Sequence, residues 1–395
     1  MAGMQTENAQ ELNDFSKGSI ARNILSLALP MTLAQLINVM YSIVDRIYIG
    51  HIPDASTYPL TGIGLCLPII TIITAFANLF GMGGAPLCSI ARGGHEEDRA
   101  QKVMGNSFSM LLISGAVLMI LCLIFKEPLL FIFGASEATY PYADQYITIY
   151  LCGTLFVMTS LGMNNFINAQ GFGKTGMLTV LLGAVLNIIL DPILIFGFGM
   201  GVQGAAVATV ISQGASAVWV LKFLCGRKAL LKLTRKSMLL QAGLVKEITL
   251  LGTSGFVMSV TNGTVQIVCN AVLARHGGDL YVGIMTVINS VREIITMPVT
   301  GLTSGAQPVI GYNYGAGCYD RVKSAIKFIS VGCVVFSFVM WAVLFFEPQF
   351  FLQLFTKESE LIREGIPAMR IYFCGIFMMA LQFAGQSTYV ALNRS

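Results

Sequence analysis

Residues 174–197 read KTGMLTVLLGAVLNIILDPILIFG. Lys174 at its start and Asp191 near its end are the only charged residues in it. A helix that crosses the hydrocarbon core of a bilayer needs roughly 20 mostly apolar residues, so this stretch is long enough to span. Comparable runs lie at 22–50, 58–84, 103–125, 143–168 and 202–224, and then at 247–273, 280–304, 324–346 and 364–391. The chain is thus read as an all-α polytopic membrane protein with ten spans.

Composition supports this reading. Of the 395 residues, 55% are hydrophobic and 11% charged, and the mean hydropathy is +0.73. A soluble domain carries about 25% charged residues; a chain this poor in charge cannot cover a water-facing surface of its size. The polar segment Met1–Ser19 lacks the basic and short apolar regions of a cleaved signal peptide, so the first apolar run is expected to remain as a span. The nine cysteines form no Cys-x-x-Cys pair and no Cys/His cluster, which argues against a zinc site or a disulfide framework.

Charge sets the orientation. Lys17, Arg22, Arg92, Arg99, Lys102 and Lys174 fall on one side, as do Arg321, Lys323, Lys327 and the basic loop 225–246. The opposite loops hold little beyond Lys126, Arg275 and Lys357. By the positive-inside rule the N-terminus and the 225–246 loop are cytoplasmic. That loop is read as a solvated linker; its basic residues sit between apolar runs and do not point to nucleic acid. Gly171-Phe172-Gly173-Lys174-Thr175 matches the end of a phosphate-binding loop, but the earlier glycine is Asn168 and no strand precedes it. No ATP site is expected, no other cofactor is implied, and the protein is not read as an enzyme.

The chain repeats itself. Gly84-Ala85 with Pro86, then Asp98-Arg99, returns as Gly305-Ala306 with Pro308, then Asp320-Arg321; Tyr150-x-Cys152-Gly153 returns 222 residues later as Tyr372-x-Cys374-Gly375. An even number of spans separates equivalent positions, so the halves share an orientation, as in parallel transporter repeats. The expected organisation is a tail at 1–21, a six-span N-lobe at 22–224, the linker at 225–246 and a C-lobe at 247–395 holding four spans. The repeat predicts two further helices in the complete fold, twelve in all. A two-lobed cavity needs no second copy, and a monomer is expected.

An ionisable residue inside a membrane is a functional candidate by default. Asp45 lies in the first span, four residues after Tyr41 and on the same helix face. Asp191 lies in the fifth, four residues after Asn187. Both belong to the N-lobe; the C-lobe position matching Asp45 is Cys269. Burial favours the protonated form of a carboxylate, and a second carboxylate nearby favours it further, so the pair could carry a proton across. Sodium could equally be held by Asp45, Asp191 and the Asn187 amide oxygen, because hard cations prefer oxygen ligands. A structural role is the competing reading, with Asp45 pairing with Arg46 and Asp191 satisfying groups freed by Pro192. Pro30 frees a carbonyl in the first span and could let it bend. Gln35, Asn38, Asn262, Gln266, Arg292 and Glu293 are candidates for the substrate cavity or a second polar site in the C-lobe. The 20 Met and 25 Phe residues suit a cavity for bulky organic cations.

Three stretches carry a family resemblance: Asn187 to Gly197 continuing through Gly199 to Thr209; Val44-Asp45-Arg46-Ile47-Tyr48-Ile49-Gly50 with Pro30 upstream; and Gly301 to Gly315. They resemble the multidrug and toxic compound extrusion family, with closest similarity to its bacterial MepA-like and DinF-like members. The resemblance implies twelve helices in two bundles, alternating access, a bacterial plasma membrane, and export of organic cations against inward proton or sodium flow. It implies an ion site at Tyr41, Asp45, Asn187, Asp191 and Thr209, with Pro30 as the bending proline. The seventh span departs from the pattern of relatives with an acidic C-lobe site: its polar residues are Asn262, Gln266 and Asn270. Related folds also flip lipid-linked sugars, which calls for a more basic cavity; here Arg292 is the one interior base.

Overall fold

The computed structural model describes residues 14–52, 58–355 and 359–394. Among these, every regular element is helical. In chain order they are α1 (Ile20–Gly50), α2 (Tyr58–Gly93), α3 (Glu97–Ile132), α4 (Tyr140–Cys152), α5 (Thr154–Ala169) and α6 (Gly173–Pro192). A π-helical turn, Ile193–Gly197, extends α6. Then follow α7 (Gly201–Leu224), α8 (Ala242–Gly315), α9 (Tyr319–Phe346), α10 (Pro348–Phe355), α11 (Ser359–Phe373) and α12 (Ile376–Ala391). Seven stretches among the described residues are long and apolar enough to cross a membrane, and the bent pairs α4/α5 and α11/α12 qualify when each is taken as one span. The helices turn large apolar side chains outward, Ile124, Ile132 and Phe346 among them, as lipid contact requires.

The expected spans 143–168 and 364–391 are broken rather than straight. α4 meets α5 at 57°, and α11 meets α12 at 42°. The breaks fall at Gly153 and Gly375, the glycines that the sequence repeat pairs. Glycine is a poor helix former, and at Gly153 the bend has a packing reason as well. A Cβ there would lie 2.6 Å from the Val210 side chain, so only glycine lets the corner close on α7.

The expected spans 247–273 and 280–304 merge into α8, which is helical from end to end over 74 residues. It nevertheless doubles back. A Cβ on Gly83 would strike the Ile248 carbonyl, and one on Gly93 would strike the Tyr312 carbonyl. Gly83 and Gly93 are about 15 Å apart along α2, whereas a straight helix from Ile248 to Tyr312 would run about 96 Å. The two ends of α8 therefore lie side by side on α2, as two antiparallel legs.

The core is divided. Ile69, Ile73, Met104, Leu111, Met158 and Phe166 belong to one buried cluster in the first half of the chain. Ile288, Val291, Leu344, Leu352, Met369 and Phe373 belong to another in the second half. α1 bridges them. Its start (Ile24, Leu27, Ala28) packs with Ala306, Val309 and Ile310 of α8, while Ile49 at its end joins the first cluster. Pro30 is buried two residues past Ala28, between the contacts that Ala28 and Thr32 make with α8.

The start of α1 is strapped down. Arg321 donates to the carbonyls of Phe15 (2.8 Å), Gly18 (3.0 Å) and Lys17 (3.1 Å), and Asn313 donates to Phe15 (3.1 Å). The Phe15 ring packs edge-on against Tyr312, and the Tyr312 hydroxyl donates to Asp14 (3.2 Å). The 225–246 segment, expected as a solvated linker, is docked. Leu231 is buried and its amide donates to Gln170 (2.9 Å). The Asn106 amide oxygen accepts from the Gln241 backbone (2.7 Å), and Ser109 donates to the Met238 carbonyl (2.7 Å).

Candidate functional site

The two halves meet through small residues. A Cβ on Gly252 would strike the Leu79 carbonyl, one on Gly301 the Thr32 hydroxyl, and one on Gly305 would lie 2.5 Å from the Ala28 nitrogen. Thr300 donates to Gln35 across the seam (2.9 Å), and Phe76 meets Phe256 with ring centroids 5.4 Å apart. These contacts lie in the halves of α1, α2 and α8 nearest the basic loops.

Along the seam lies a cavity of about 600 Å³. Gln35, Asn38 and Tyr41 of α1, Asn187 of α6, Thr209 of α7 and Asn262 of α8 line it. Its apolar surface comes from Met31, Met82, Met177, Met258, Phe256 and Phe383. No charged side chain lines the wall. Arg292 and Glu293 are not on it: Arg292 is half-buried and Glu293 exposed elsewhere on α8. They were candidates for the cavity or for a second polar site in the C-lobe; the cavity wall does not include them. The side chain of Gln266 lies outside the described residues.

The two acids sit just behind the wall. Helical spacing places Asn187 one turn before Asp191, and its amide donates to Asp191 Oδ1 at 3.2 Å and reaches Thr209 Oγ1 at 3.5 Å. Pro192 cannot donate a backbone hydrogen bond, and the chain widens into the π-helical turn directly after Asp191. Such widened turns are frequent at functional positions. Asp191 is fully buried. Asp45 comes from α1, and the two carboxyls approach closely enough to share a hydrogen bond once one carries a proton. Tyr41 stands within electrostatic reach of both. Arg46, the partner of the structural reading, is exposed, and no ion pair joins it to Asp45 among the described residues.

Three buried oxygens in this group have no hydrogen-bond partner among the described residues: Asp45 Oδ1, Asp191 Oδ2 and Asn187 Oδ1. Buried polar atoms in proteins are nearly always satisfied, and an unmade bond at such an atom costs about 1–3 kcal/mol. Three orphaned acceptors on neighbouring side chains form a ready receptor for a proton or a small hard cation. The geometry fits sodium by donor type, since all three are oxygens.

The sequence did not single out Tyr146. It is buried on α4, stands within reach of Asp45 and Tyr41, its hydroxyl reaches Thr209, and its ring stacks on Tyr150 at 6.1 Å. The signal was a pair of tyrosines one helical turn apart in an apolar segment, which reads equally well as packing.

A multi-span helical protein with a cavity between two lobes and a buried acid pair beside it has the architecture of a small-molecule transporter. The sequence profile of the MatE family matches residues 30–193 and 255–395. The multidrug export protein MepA of Staphylococcus haemolyticus (strain JCSC1435) is 29% identical over 376 residues, covering 95% of this chain and 82% of that protein. Crystal structures of MATE in the bent and in the straight conformation superpose with TM-scores of 0.90 and 0.89. Each is 21% identical and covers 98% of this chain, and the match takes in 84% and 85% of the respective MATE chains. This chain belongs to the MatE family.

Proposed function

We propose that this protein is an antiporter of a bacterial plasma membrane that exports small organic, often cationic, compounds in exchange for protons or sodium ions moving inward. The three orphaned oxygens of Asp45, Asp191 and Asn187 carry this reading. They lie beside a Met- and Phe-lined cavity, and Tyr41 and Asn187 belong to both the cavity wall and the acid group. An ion bound at the acids therefore alters two side chains that the substrate touches. Coupling between sites is a difference of free energies and is reciprocal: an ion that weakens substrate binding is itself weakened by substrate.

The charge asymmetry of the loops supports a cytoplasmic N-terminus. In that orientation the seam of small residues closes the cytoplasmic side, and the cavity faces outward. Pro30, which interrupts the hydrogen bonding within α1, is the place for that helix to flex when the seam opens. One chain supplies the whole cavity, which suits a monomer. A flippase for lipid-linked sugars gains no support, because the wall carries no base. Ethidium efflux from proteoliposomes under an imposed proton or sodium gradient tests the proposal. Efflux driven by one gradient and absent without it is the expected result; no efflux under either, from folded protein, removes the exporter reading.

A further inference from the structure

The basic segment between the lobes has a property that its composition alone does not convey. From Cys225 to Lys246 it carries Arg227, Lys228, Lys232, Arg235, Lys236 and Lys246 and not one acid. All six are exposed, and none forms an ion pair among the described residues. Yet the backbone that bears them is fixed. The Leu233 amide donates to the Leu224 carbonyl at 3.0 Å, closing a loop with Arg227, Lys228 and Lys232 on it. The buried Ala229 and Leu231 anchor that loop inward, and Gln170 accepts from the Leu231 amide. Next comes a turn from Thr234 to Ser237, closed by the Ser237 amide on the Thr234 carbonyl and by both hydroxyls. Arg235 and Lys236 occupy its corner. Buried Ser237 sits against Gly105, and Asn106 then holds the chain through Ser237, Leu239 and Gln241.

A flexible linker would leave such charges free to spread into solvent. Here five of the six, all but Lys246 of α8, are held on two short closed loops beside the end of α7, a membrane span. Two large apolar side chains, Leu239 and Leu240, are exposed directly after the second loop, at 67% and 49%. Exposed leucines next to uncompensated cations suit a membrane boundary, with acyl chains on one side and headgroups on the other. Clusters of four to eight basic residues next to a span bind anionic headgroups.

We propose that residues 227–240 form a docking surface for anionic phospholipid headgroups, seating the N-lobe on the leaflet where the basic loops lie. The occupant is the lipid phosphate in a bilayer: the leucines give nothing to a soluble anion, and the charges flank a transmembrane helix. Because Gln241 opens directly into α8, the same surface fixes the start of the C-lobe's first leg relative to that leaflet.

The test uses the purified full chain and fluorescent phosphatidylglycerol, with phosphatidylcholine as the neutral comparison. Wild-type protein is expected to prefer phosphatidylglycerol by about tenfold or more in dilute buffer. The preference is expected to collapse near 1 M salt, where the screening length is about 3 Å. Joint replacement Arg227→Gln, Lys228→Gln, Arg235→Gln and Lys236→Gln is expected to lose most of it. If that variant does not fold, the wild-type salt series alone decides. A preference that survives high salt, or that the folded variant keeps in full, overturns the proposal. So does displacement of the lipid by inorganic phosphate at equal concentration, which would assign the site to a soluble anion. Neither readout involves efflux, so the outcome is independent of the transport reading.

Discussion

The two halves of this molecule share a plan and differ in chemistry. Each half breaks a span at an equivalent glycine, Gly153 at 57° and Gly375 at 42°. In the first half the break is packed: Gly153 closes on Val210, and α4 brings Tyr146 against the acid group. In the second half a Cβ at Gly375 would meet nothing within 4 Å. Where the first half has Asp45, the second has Cys269, packed in an apolar cluster. The buried polar groups described in the second half, Thr303, Asn313, Ser337 and Ser387, include no acid. Under the proposed function, one half would hold the ion and the other would give it a wall to move against. A common bend is architecture; the side chains gathered at it are function.

The largest expected effect breaks this contrast at its centre. Asp45→Asn and Asp191→Asn should each lower gradient-driven efflux more than tenfold, while Cys269→Ala leaves it within about twofold. Equal losses in all three would erase the distinction between the halves. Next in size is the seam they share. Gly252→Val places a side chain against the Leu79 carbonyl, and overpacking of this kind costs about 1–3 kcal/mol. Hydrogen exchange over residues 76–83 should quicken in that variant; unchanged protection would mean that the seam is looser than described. A smaller effect is expected at Asn187→Ala, which removes the donor to Asp191 and Thr209 but keeps both carboxyls. It also removes one of the three orphaned oxygens, so sodium affinity read from the gradient dependence should fall several-fold while maximal efflux persists; proton affinity should not fall, because the lost bond favoured the unprotonated carboxylate.

The smallest effect lies at the strap on the second half. Burial raises the Asp14 carboxyl, but hydrogen bonds from the Ser16 hydroxyl and amide and from Tyr312, with the charge of Lys17, bring it below its ordinary 3.8. A carboxyl lowered in the folded state contributes stability above its unfolded value and loses it as the pH falls through the folded one. Exchange at residues 14–18, corrected for its intrinsic rate, should therefore rise on acidification below about pH 4. Asp14→Asn should show the looser strap at neutral pH and flatten that dependence.

Much of this was legible in the sequence because membranes impose a length and an apolar composition on every span. Asp45, Asn187 and Asp191 stood out because an acid is rare in such runs, and helical spacing paired Asn187 with Asp191. Other features depend on tertiary contacts that leave little local trace. The bend at Gly153 follows from the approach of Val210. The reversal of α8 was expected from the two spans 247–273 and 280–304; that the chain stays helical through it was not. Tyr146 looked like packing until α4 carried it to Thr209. The linker looked solvated because its cations are; the anchors, Gln170 and Asn106, sit far away in the chain. Arg292 and Glu293 looked interior because they lie in an apolar run, but the helix face they occupy is not the cavity's.

The most direct test of the account is equilibrium binding of ethidium to the purified protein as protons or sodium are raised. The acid group beside the cavity predicts that one of these ions displaces ethidium from the wild type, and that the displacement disappears in Asp45→Asn/Asp191→Asn although ethidium still binds. Displacement that persists unchanged in the double variant would place the coupling site elsewhere and contradict the assignment of the ion to the N-lobe acids.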